Sequence, residues 1–185
     1  MIRKLKLNKD FYAHTLDFFK KRFVELCGLI LISIFGVFSY SLINYSPKNQ
    51  TLIYKIDETG SGSFFEVYSN ISADFFLQSF GLISFLIAFS ILSWGISLIF
   101  NKKINNFLNK LFYTIVYIIF GCLFVYITFN NSFWLIDNGN SGFIGEKSFL
   151  LLNKFESIIE SNLSKVLLLV LTFIFFILAS NINIK

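Results

Sequence analysis

The stretch Gly139-Asn-Ser-Gly-Phe-Ile-Gly-Glu-Lys-Ser148 has the outline of a loop that cradles phosphates. Such a loop needs its lysine directly after the last glycine, so that the ammonium reaches phosphates already held by backbone amides. Here Glu146 separates Gly145 from Lys147, and no apolar strand leads into the glycines. The stretch reads as a tight re-entrant or surface turn, because closely spaced glycines disfavour a stable helix and allow backbones to approach. Cys27 and Cys122 are the only cysteines, and both fall inside long apolar runs. They read as small core residues rather than a disulfide. His14 is the only histidine and has no cluster of cysteines or acids around it, so no metal is expected. No serine, histidine and acid set converges, and no cofactor is expected. Glu25 and Asp74 remain. An ionisable group deep in a membrane is a functional hypothesis by default, but these two stand at the edges of apolar runs, where hydration is cheap. Asp74 suits a cap at the start of a helix. Contact with a partner is the second reading of both.

The elements that must position these residues are set by composition. Of 185 residues, 55% are hydrophobic and 15% charged, and 26 are phenylalanine. A soluble domain carries about 25% charged residues. Disorder and an ordinary water-soluble enzyme are excluded, and the length allows one domain. A helix needs roughly 20 apolar residues to cross the roughly 30 Å hydrocarbon core. Uncharged runs lie between Glu25 and Lys48, Asp74 and Lys102, Lys110 and Asp137, and Lys165 and Lys185. Barrel strands would be shorter and alternating. The predicted fold is therefore all-α: a polytopic membrane protein with four transmembrane helices and an amphipathic helix before the last span. A basic cytoplasmic arm covers residues 1–22 and a four-helix membrane domain residues 23–182, with spans at about 24–45, 74–100, 111–134 and 163–182 and outer loops at 46–73 and 135–162.

Orientation follows from lysine and arginine. With the N-terminus inside, eleven of the sixteen basic residues fall on inner segments and five on outer ones. The positive-inside rule then places both termini in the cytoplasm. The first run is not a cleaved signal, since its basic leader and apolar stretch are too long and no A-x-A site follows. The arm's Leu5, Leu7, Phe11, Leu16, Phe18 and Phe19 favour a lipid surface over DNA. Thr59-Gly-Ser-Gly-Ser63 reads as a flexible stretch of the first outer loop, and the segment from Asn101 to Lys110 as the turn of an antiparallel hairpin. After the glycine element, Phe149, Leu152, Phe155 and Ile159 recur near helical spacing, the pattern of a helix on the outer membrane surface. Gly28, Gly36, Gly81, Gly95 and Gly121 suit close helix contacts, and Trp94 and Trp134 suit interfacial belts.

The order of small motifs adds a resemblance. Arg22-Phe-Val-Glu-Leu-Cys-Gly28 opens the first span, and Ser39-Tyr40 with Tyr45-Ser-Pro47 closes it. Asn70-Ile-Ser-Ala-Asp74 leads into Leu77-Gln-Ser-Phe-Gly-Leu82, Trp94-Gly95 closes that span, and Ser141-Gly-Phe-Ile-Gly145 precedes the last. Over roughly residues 20–182 this resembles the N-terminal four-span membrane domain of the FtsK/SpoIIIE family of DNA translocases. Ser46-Pro-Lys-Asn49 stands where the family has D-P-S, and Ser141 where it has the first glycine of a double-glycine element.

The resemblance implies a bacterial inner-membrane anchor enriched at the division septum. It implies contact with membrane proteins of the division machinery, a homo-oligomer, and a role in cell division and chromosome partition. The family's ATPase motor and DNA-reading module are not expected in this chain, so neither catalysis nor direct nucleotide or nucleic-acid binding is expected of it. Glu25, Asp74, Gly81, Gly142 and Gly145 match motif positions, with structural or partner-contact roles. The rival readings are a small transport or channel subunit and a subunit of another envelope complex.

Overall fold

A computed structural model describes the backbone of residues 2–46, 64–101, 103–132, 135 and 138–180, and the side chains of 15–46, 67–101, 103–132, 135 and 138–180. The expectations for His14, Pro47, Thr59–Ser63 and Trp134 lie outside these described parts. Seven α-helices and one 3-10 turn make up the fold, with no strand among the described residues. They are α1 (Ile2–Ile43), α2 (Phe64–Phe80), α3 (Ile83–Asn101), α4 (Phe107–Phe129), α5 (Gly142–Leu151), α6 (Glu156–Ile159) and α7 (Asn162–Ala179). Four stretches are long and apolar enough to cross a membrane: Thr15–Ile43, α3, α4 and α7.

The closest packing joins α1 to α3 and α4 to α7. Contacts of α1 residues 28, 32 and 35 with α3 residues 99, 95 and 89 make the first pair antiparallel. Tyr113 with Phe175 and Gly121 with Thr172 do the same for the second. Hence α1 begins and α7 ends on the same side of the bundle, called here the near side. Between the pairs, α3 meets α4 over a short stretch, where Ser90 and Tyr117 share a buried hydrogen bond of 3.0 Å. One apolar cluster gathers Leu42, Ala73, Leu77 and Ala88 under α1, and the other gathers Ile83, Tyr117, Cys122 and Val125 around α4. Long stretches of α1 and α7 remain exposed, as surfaces facing hydrocarbon do.

α1 runs through both the basic arm and the first span without a break. Three expectations change. The second span does not start at Asp74. Asp74 lies within α2, and a turn at Gly81-Leu82 separates α2 from α3, so Asp74 is not a helix cap. The glycine element is turned as far as Gly142, which opens α5 in a left-handed conformation; only Gly145 is inside the helix, because packing against α4 outweighs its poor helix propensity. The amphipathic helix is in pieces, α5 and α6 joined by a 3-10 turn over Asn153–Phe155.

Candidate functional site

The α2–α3 break is tightly constrained. Gly81 has φ +56° and Gly142 φ +65°, a left-handed conformation that costs other residues about 1–2 kcal/mol. The two glycines lie back to back. A Cβ on Gly142 would stand 2.6 Å from the Gly81 nitrogen and 2.7 Å from that of Phe80, and a Cβ on Gly81 would collide with the Asn140 carbonyl. Leu82 N–H donates to that carbonyl at 2.9 Å. Cys122, two turns inside α4, donates its thiol to Phe80 O at 3.4 Å, and buried Ser84 donates to Phe76 O at 2.8 Å. Irregular backbone at membrane depth persists only where protein groups satisfy it, and here they do. Gly145 completes the joint: a Cβ there would meet Cys122 O at 2.8 Å.

The turn that brings α5 to this joint is held by Asn130, just beyond α4. Its carbonyl accepts Asn140 N–H at 3.1 Å, and its side-chain Oδ1 accepts the buried Ser141 hydroxyl at 2.8 Å. Asn140 in turn donates its amide to Phe129 O and Asn131 O. Asn138 reaches Gln78 of α2 at 3.0 Å.

Beside this joint runs a polar seam between α1 and α2. Tyr45 donates its hydroxyl to the Asp74 carboxylate at 2.7 Å, Ser46 N–H donates to Asn70 Oδ1 at 3.3 Å, and Ser41 and Ser69 share a bond of 2.7 Å. Asp74 is 7% exposed and Asn70 5%. The carboxylate is thus buried against α1 and does not face a free surface.

Glu25 is elsewhere. It pairs with Arg22 one turn away on α1, about 30 Å of helix from Tyr45. The structure therefore brings together Gly81, Gly142 and Gly145, sets Asp74 beside them on α2, and leaves Glu25 on the near side.

The near side has its own joint. A Cβ on Gly28 would meet Gly95 O at 2.9 Å, so α1 and α3 touch at their backbones. Gly121 packs against Ile83, whereas Gly36 faces open space. The end of α7 is capped by three side chains from α3 and α4. Lys110 Nζ donates to Leu178 O at 2.7 Å, Trp94 Nε1 to Ala179 O at 2.8 Å, and Ser93 Oγ to Ser180 O. Helix ends leave carbonyls unpaired, and a lysine there also complements the helix dipole. At the other end of α7, Ser161 accepts from Ser164 N–H at 3.2 Å as its N-cap. Lys147, the lysine of the phosphate-loop-like stretch, contacts Glu146 at 3.1 Å and lies over the Phe143 ring.

Sequence reasoning passed over Asn130, Ser41 and Ser69, and took Ser141 only as the stand-in for a motif glycine. The one signal for Asn130 was a side-chain amide at the very end of an apolar run.

Four apolar helices with buried polar joints and backbone-to-backbone glycine contacts define a polytopic helical membrane protein. Within that class, the chain matches the 4TM region of DNA translocase FtsK/SpoIIIE over residues 20–185 and belongs to that family. The resemblance carried by Arg22–Gly28, Asn70–Asp74 and Ser141–Gly145 is thereby borne out. The match is to the family's membrane region and not to its motor. No curated protein and no solved structure matches the chain.

Proposed function

We propose that this chain is the membrane-anchoring and septum-targeting domain of an FtsK-like DNA translocase, acting in cell division and chromosome segregation. The observation that carries the reading is the family match over residues 20–185. The near-side joint supports it. The end of α7, from which a cytoplasmic linker to a motor would leave, is fastened to α3 and α4 by Ser93, Trp94 and Lys110. Load on that end is thereby shared with two further spans. The domain sits in the bacterial inner membrane with both termini cytoplasmic, as a homo-oligomer that contacts membrane proteins of the division machinery. ATP hydrolysis and DNA contact are not assigned to residues 1–185.

The test is a fluorescent protein fused after Lys185 and imaged in dividing cells. Signal concentrated at the septum is the expected result. Bright but uniform membrane signal would keep the topology and shift the reading to a transport or generic envelope subunit. A dark fusion, with protein present by blot, would sink the topology.

A further inference from the structure

A groove of about 580 Å³ runs along the lipid-facing side of α1, walled by Leu26, Ile30, Ser33 and Val37 with Phe76 of α2 and Ile91 of α3. Its bordering hydroxyls are all engaged: Ser33 donates to Leu29 O at 3.1 Å, Ser41 to Val37 O at 2.9 Å and Ser72 to Ser69 O at 2.9 Å. The wall is therefore apolar and offers no free donor. From Leu26 to Ser41 it follows about 22 Å of helix, most of the roughly 30 Å hydrocarbon core and long enough for an acyl chain entering from the near side.

The near mouth of the groove is basic. Arg22 stands one turn before Leu26 on the same helix face. Its side chain is 61% exposed, and one nitrogen of its fork is used by Glu25. Lys20 and Lys21 beside it are exposed and form no ion pair among the described residues. Asp17 and Glu25 are the nearby acids, but over residues 1–22 seven basic residues face only two acids. Exposed Phe18, Phe19 and Phe23 at the same level suit the headgroup boundary.

We propose that this is a binding site for an anionic phospholipid of the leaflet on the near side. The headgroup phosphate lies between Lys20 and Arg22, which flank the groove on the helix surface, with Lys21 on the opposite face, and one acyl chain lies in the groove. Charge selects the headgroup, since each basic residue near an anionic surface contributes about 1 kcal/mol, roughly fivefold. The proposal does not depend on the septal reading.

The experiment is native mass spectrometry of the full chain released from detergent, with phosphatidylglycerol or phosphatidylethanolamine carrying identical acyl chains. Roughly fivefold or greater retention of phosphatidylglycerol is expected. Combined Lys20→Gln and Arg22→Gln substitution brings the two lipids to parity, and Ile30→Trp, which fills the groove, removes retention of both. Equal retention of the two lipids by the unmodified chain overturns the proposal and needs no variant to fold. So does undiminished phosphatidylglycerol retention by Ile30→Trp. If Ile30→Trp instead dissociates an oligomer and leaves lipid retention unchanged, the groove belongs to a second copy of the chain.

Discussion

The backbone of Gly142 rests on the backbone of Gly81, so closely that a Cβ on residue 142 would stand 2.6 Å from the Gly81 nitrogen. Two segments far apart in the chain share this one point. The fold depends on it because α1–α3 and α4–α7 otherwise meet only along a short α3–α4 stretch and where Ser93 and Trp94 cap the end of α7.

Gly81→Ala and Gly142→Ala each combine a left-handed backbone with a collision. About 1–2 kcal/mol of strain and about 1–3 kcal/mol of overpacking give an expected loss of about 2–5 kcal/mol each. Thermal unfolding in detergent measures it. Gly36→Ala is the control: nothing lies within 4 Å of its Cβ position, so Tm stays level or rises slightly. Equal melting of all three variants would refute the joint.

The Tyr45–Asp74 bond is a buried hydrogen bond to a carboxylate. Such bonds contribute about 1.5–3 kcal/mol. Tyr45→Phe is expected to destabilise by that order, Asp74→Ala by at least as much, and the double variant by less than the sum. A double-mutant cycle reads the coupling, and additivity would mean the two side chains do not interact.

Trp94→Phe leaves Ala179 O without its donor. An unmet buried carbonyl costs about 1–3 kcal/mol. Amide exchange at the last turn of α7 is expected to speed up, with α1 protection unchanged. Lys110→Met should have the same local effect through Leu178 O.

Ser41 and Ser69 place their hydroxyl oxygens 2.7 Å apart on different helices. Ser41→Cys with Ser69→Cys, in a background with Cys27 and Cys122 replaced, is expected to close a disulfide under mild oxidation, since the ends of the two side chains already meet. Mobility on a reducing and a non-reducing gel reports it. Failure to close would place α2 elsewhere along α1.

The four long apolar helices were legible because hydrocarbon demands uninterrupted apolar runs, and Leu, Ile and Phe provide them from Leu26 to Tyr45 and again before Lys102, Asp137 and Lys185. The break at Gly81 was not. An apolar run looks the same whether one helix or two pass through it, and the turn depends on Asn140, which lies far along the chain. Asp74 misled for the same reason. A lone acid at the edge of an apolar run signals a helix start, yet Asn70, Ala73 and Leu77 carry α2 through it on a buried face. Gly145 argued for a turn by propensity alone, and packing against Cys122 overrode it, whereas Gly142 keeps a left-handed turn conformation at the first residue of α5.

The continuity of α1 has a mechanical consequence. Its 42 residues make a rod about 63 Å long, roughly twice the hydrocarbon thickness. The basic arm up to Arg22 extends it about 30 Å ahead of the apolar run. No hinge separates the two parts, so the span and the arm swing together as one lever. A thinner bilayer that tilts the span sweeps the start of α1 sideways, and a protein holding it there would feel the thickness of the membrane.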